Sequence, residues 1–179
     1  MNKLLSCLAA GALALAASSA TAATYTFSFD NVGGTVAGTV SGTIELADGD
    51  GTFAATSVIV DTAPAALGYT LSLDFLDPAN GYTTDFGNSF TVVGGQITDA
   101  TFGRVNSTEG LFLSNDQLPD FQTWLNTVGS ANQGIGVADF ASTTLTFGTL
   151  AAVPLPASLP LLLAGLGGFG LMSRRKHAA

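Results

Sequence analysis

The chain alternates between apolar and polar positions with period two for most of its middle, and that spacing predicts β-strands. Tyr25, Phe27 and Phe29 interleave with Thr26, Ser28 and Asp30. Residues 35–46 repeat Gly-Thr with β-branched residues between, which reads as one or two strands kinked at a glycine. Residues 47–52 read as a turn, Thr56–Val60 as a strand, and Ala63–Gly68 as a break through Pro64. Tyr69–Phe75 alternates again, with Tyr69, Leu71 and Leu73 on one face. Residues 77–81 form a second turn. Phe90–Ile97, Leu111–Leu113 and Thr143–Leu150 complete the set, the last with Leu145 and Phe147 on one face. One segment departs from this rhythm. In residues 118–129, Phe121, Trp124 and Leu125 are spaced three and four apart, which predicts a short amphipathic helix ended by Gly129. The expected architecture is all-β: an antiparallel β-sandwich, jelly-roll or Greek-key-like, with one short helix.

Both ends break the pattern. Residues 1–22 place Lys3 before an apolar run, Leu4 to Ala17, and close on Ala20-Thr21-Ala22. The run is shorter than the roughly 20 residues of a membrane-spanning helix. A positive start, a short apolar core and a small-x-small end make a secretory signal peptide. Cleavage then falls between Ala22 and Ala23, and the partners implied are the Sec translocon and signal peptidase. Cys7 follows Lys3 too closely to be the lipidated residue of a lipobox.

At the other end, the 22 residues from Ala151 to Met172 carry no charge. That is enough to cross a hydrocarbon core of about 30 Å as a helix rising 1.5 Å per residue, and a transmembrane helix is expected over about 158–172. Arg174, Arg175 and Lys176 stop transfer and keep the tail in the cytoplasm. The chain thus divides into a signal peptide (1–22), an ectodomain (23–150) and a C-terminal signal (151–179). That signal comprises a proline motif at 153–157, the apolar helix, and the basic tail at 174–176.

The order of proline motif, apolar helix and basic cluster resembles the PEP-CTERM class of sorting signals. Val153-Pro154-Leu155-Pro156-Ala157 is similar to its VPLPA-CTERM variant, with Ser158 where glycine is frequent. The resemblance covers about residues 153–179. It implies processing by an exosortase, a membrane-embedded cysteine transpeptidase, in a Gram-negative bacterium that makes exopolysaccharide. The motif suits that use physically. Two prolines hold the backbone extended and out of the helix, as a peptidase groove requires.

Charge narrows what the ectodomain does. All thirteen acids lie between Asp30 and Asp139, and Arg104 is its one cation, so residues 23–152 carry −12. Such a body repels nucleic acid phosphate and excludes it as a partner. Cys7 and His177, the sole cysteine and histidine, lie in the terminal segments. Without Lys, His or Cys, the body lacks the groups for Ser-His-Asp or Cys-His catalysis, for Schiff bases and for imidazole-bound zinc. Only carboxylate chemistry is left. Asp74 and Asp77 are the nearest to a hydrolase pair, but Asp77-Pro78 reads as a turn. Asp48-Gly49-Asp50-Gly51 offers oxygens to Ca²⁺, yet lacks the other ligands of a twelve-residue loop ending in Glu, and reads as a hairpin turn. Asn106-Ser107-Thr108 reads as a loop. Tyr82 and Trp124 are the ligand-contact candidates, as rings able to stack on sugar. No enzyme activity and no cofactor are expected. The expectation is an exported protein, anchored in the inner membrane as a precursor and then sorted to the cell surface or extracellular matrix. Its role there is structural or adhesive, in contact with exopolysaccharide. The alternatives are a carbohydrate-binding module and, behind it, a carboxylate hydrolase.

Overall fold

The computed structural model describes residues 22–115, 122–129 and 135–149. The expected signal peptide, apart from Ala22, and the expected C-terminal signal lie outside these residues. Eleven strands make up the described chain: β1 (Ala22–Asp30), β2 (Thr39–Ala47), β3 (Gly51–Phe53), β4 (Ser57–Thr62), β5 (Leu73–Asp74), β6 (Thr84–Val93), β7 (Gln96–Val105), β8 (Gly110–Ser114), β9 (Thr123–Asn126), β10 (Gly136–Asp139) and β11 (Thr146–Thr149). Two short 3₁₀ turns, Ala65–Leu67 and Pro78–Asn80, are the helical elements among them.

The strands form two antiparallel sheets. One has the order β11-β1-β2-β4-β5, the other β10-β9-β8-β7-β6-β3. The all-β reading holds. The second sheet is a meander from β6 to β10 with β3 on its edge. In the second sheet every neighbouring pair but β6–β3 is consecutive in the chain, whereas in the first only β1–β2 and β4–β5 are. One Greek-key feature is present: a long connection returns β11 to the side of β1.

The period-two pattern explains what the sheets enclose. Tyr25, Phe27 and Phe29 of β1 face the core, with Val40, Ile44 and Leu46 of β2 and Val58 and Val60 of β4. The other sheet contributes Phe90, Val92, Phe102, Leu111, Leu113, Leu125 and Val137. Phe147 of β11 and Leu145, just before it, pack at the margin of this core, two residues apart as the alternation requires.

Three local readings are corrected. The expected helix around Trp124 is instead β9, paired to β8 and β10; residues 118–121 of that segment lie outside the described residues. Helical spacing would place Trp124 and Leu125 on one face. In the strand they point to opposite faces, Leu125 into the main core and Trp124 into a second cluster with Phe112 and Ala138. Burial on both faces removed the alternation that marks a half-exposed strand. Phe90–Ile97 is not one strand but a hairpin, folded at Gly94 and Gly95, whose φ values are 59° and 74°. Two positive φ angles are what a two-residue turn joining twisted strands needs. Of Tyr69–Phe75 only Leu73 and Asp74 are strand, and Leu71 is exposed. The kink foreseen in residues 35–46 is present: the register of β2 on β4 slips between Ser41 and Gly42. A Cβ on Gly42 would stand 1.9 Å from the Ile59 carbonyl oxygen, so only glycine allows this approach.

The connection from β10 to β11 is held by one carboxylate. Asp139 is fully buried and accepts hydrogen bonds from the backbone N–H groups of Ala141 (3.3 Å) and Thr144 (2.6 Å) and the Thr144 hydroxyl (2.7 Å). Asp139→Ala orphans these donors and should lower stability by about 2–4 kcal/mol. Urea denaturation of the secreted protein measures it. The loss should be much smaller for Asp77→Ala, whose carboxylate takes one exposed N–H, from Ala79.

Candidate functional site

The ends of the described body come together. Ala22 pairs with Ala47, and Ala23 with Leu46, so the strand begins at the expected signal peptidase cut. Tyr25 lies opposite Thr149, the last residue of β11. The exits toward both terminal signals are therefore neighbours at one end of one sheet. Ala20, the motif residues Val153, Pro154, Leu155, Pro156, Ala157 and Ser158, and the basic residues Arg174, Arg175 and Lys176 lie outside the described residues. So does the expected transmembrane helix; among the described residues no helix is long and apolar enough to cross a membrane.

The acidic turn sits at this same end. Asp50 accepts a hydrogen bond from the Gly95 N–H (3.1 Å), which ties the turn after β2 to the β6–β7 hairpin. Backbone N–H groups of Gly94 and Gly95 hold its carboxyl below the usual range. Among the described residues no three His, Cys, Asp or Glu side chains are grouped to hold a metal ion. Asp74 and Asp77 both serve the backbone. Asp74 accepts from the Ser57 hydroxyl (2.9 Å) and from the N–H groups of Val58 (3.1 Å) and Leu76 (2.8 Å). Asp77 caps the 3₁₀ turn that follows it.

Both rings singled out for sugar contact are buried: Trp124 is 3 % exposed and Tyr82 5 %. Trp124 stacks on Phe112 at 4.6 Å between ring centroids, and Phe86 leans on Phe112 at 5.2 Å. This row lies on the face of its sheet away from the main core, with Phe86 half exposed at its end. The pairing of β6 with β7 skips Phe86, making it the extra residue of a bulge. A bulge re-aims its side chain, and here it ends the row at the surface.

A second cluster has no counterpart in the sequence reading. The Tyr82 hydroxyl donates to Glu109 Oε1 (2.8 Å), which also accepts from Asn106 Nδ2 (3.2 Å). Glu109 Oε2 accepts from the Gly129 N–H (3.3 Å). The Tyr82 ring lies against Phe75 at 4.4 Å, with Tyr69 beyond it. Its members are scattered over sixty residues, and only the folding of the sheet that holds β6, β7 and β8 brings them together. Burial, then the proximity of Glu109, pushes the Tyr82 phenol well above its usual range. Burial does the same to Tyr69.

Residues 152–176 match the family model of the PEP-CTERM protein-sorting motif. The chain thus carries a recognised sorting signal at its C-terminal end. No curated protein and no solved structure matches the chain.

The two tyrosines set the behaviour in alkali. A folded pKa above the unfolded value, about 10 for a free phenol, means the unfolded chain releases its protons first as pH rises. The stabilisation is complete below pH ~10 and is lost above it. Urea midpoints at pH 8 and pH 11 should show this fall. Tyr82→Phe should start lower, by about 1 kcal/mol for the lost hydrogen bond, and fall less between the two.

Proposed function

We propose that this is an exported protein of the cell surface or extracellular matrix, delivered through a C-terminal signal that an exosortase removes. The match at residues 152–176 carries the reading. The layout of both ends agrees with it: a signal peptide exports the body, the apolar helix with Arg174, Arg175 and Lys176 holds the precursor in the inner membrane, and the Val153–Ala157 motif stands outside. The body's role is structural or adhesive rather than catalytic. In support, it lacks Lys, His and Cys, and its nearest acid pair, Asp74 and Asp77, holds backbone N–H groups.

The test is the mass of the mature C-terminal peptide, from cells with and without their exosortase. A terminus within or beside Val153–Ser158, found only when the enzyme is present, is expected. A tail intact through Arg175 in both strains would make the segment a permanent anchor.

A second reading, a carbohydrate-binding module, is favoured by one observation. Phe86 exposes its ring at the end of the Phe112–Trp124 row, where the apolar face of a sugar can stack. On that reading Phe86→Ala weakens retention on purified exopolysaccharide about ten-fold and leaves the urea midpoint unchanged. Equal retention by both proteins removes it.

A further inference from the structure

The register of the first sheet has a consequence for processing. Three residues, 150–152, separate Thr149 from Val153. Fully extended, the four steps from Thr149 to Val153 reach about 14 Å. Two packed sheets lie about 10 Å apart before their outer side chains are counted, so this is less than the body's own thickness. A groove gripping Val153–Ala157 must therefore come right up to the end of the body. A membrane-embedded enzyme cannot take the motif without meeting the residues around that exit.

Those residues form one face. Beside Thr149 runs the start of β1, Ala22 to Tyr25. Beyond it are the turn carrying Asp48 and Asp50 and the hairpin turn Gly94–Gly95, joined by the Asp50 hydrogen bond. Burial and then the charges of Asp48 and Asp50 raise the Tyr25 phenol, which is consistent with both aspartates lying near the start of β1. Val93, next to the glycine turn, is 58 % exposed and is the large apolar side chain of this face. Bare anionic lipid repels the two aspartates, so the face suits a protein surface better than a membrane surface.

We propose that this end, centred on Val93 and the two turns around the chain exits, docks on the membrane-embedded processing enzyme. The inference rests on the sorting reading above. It adds that the enzyme engages the folded body as well as the motif.

The experiment follows cleavage of the full chain by pulse-chase in cells that hold the exosortase. Val93→Glu should slow cleavage by about five-fold or more. Val32→Glu alters an equally exposed valine in the loop at the far end of β1, and should leave the rate unchanged. A ten-residue Gly-Ser spacer between Ala152 and Val153 frees the groove from the body, and should restore Val93→Glu to the parental rate. Cleavage of Val93→Glu at the parental rate without the spacer overturns the proposal. So does failure of the spacer to restore it. No cleavage of the parental chain overturns the sorting reading and this one together.

Discussion

The pairing of the first strand with the last is the contact on which the rest depends. β1 lies between β2 and β11, and its buried face carries Tyr25, Phe27 and Phe29. Without β11 its outer edge would expose unpaired N–H and C=O groups beside those rings. The contact is short: Tyr25 to Ser28 against Thr149 to Thr146. It is supported from behind by Phe147 and Leu145 at the core margin and from the side by the Asp139 carboxylate. The Thr144 hydroxyl, which donates to Asp139, also accepts from the Asp30 N–H at the end of β1. One buried acid thus fixes the loop that delivers the last strand to the first.

The four sheet edges are treated differently. β10 is covered by the connection after β1: the N–H groups of Val32 and Gly33 both reach the Ala138 carbonyl, and Asn31 accepts from the Ala138 N–H. β3 and β5 are three and two residues long, and β3 follows the acidic turn. Short strands and nearby charge discourage pairing with another chain. β11 carries no charge among its own residues, which are Thr, Phe, Gly and Thr. Its protection comes instead from its brevity and from the −12 charge of the body, which keeps copies apart.

What was legible in the sequence follows from how each strand is buried. β1, β2 and β4 have one face on the core and one toward water, so their residues alternate and the period reads directly. β8, β9 and β10 are buried throughout, and alternation vanishes from them. Thr123–Asn126 then passed for a helix because Trp124 and Leu125 also fit a helical spacing with Phe121. The Gly94-Gly95 pair was a readable hairpin signal, flanked by Val92, Val93 and Ile97. It was lost inside a run that seemed continuous. The Tyr82–Glu109 bond had no local signature, since it joins residues 27 apart that only the fold makes neighbours; the Asp139 hub is local, reaching two to five residues on, but nothing in its sequence marks that acid as the buried one. The C-terminal sorting signal was the reverse case. It is read as a linear segment, so order and composition alone carry it.

That contrast bears on when the body can close. On the proposed export, β1 is the first part of the body to cross the membrane and β11 the last, separated by more than a hundred residues of chain. Such a pairing has high sequence separation, and it forms only after the intervening strands have been delivered. The meander β6 to β10 joins consecutive neighbours and can assemble earlier, as its strands emerge. The β1–β11 contact waits for Thr149, which three residues separate from the proline motif. Completion of the first sheet and arrival of the sorting segment at the membrane thus fall at the same point in export. Pro154 and Pro156 contribute no backbone N–H, so strand pairing cannot run on through the motif. The prolines thus mark the boundary, in the sequence, between the body and the sorting segment that follows it.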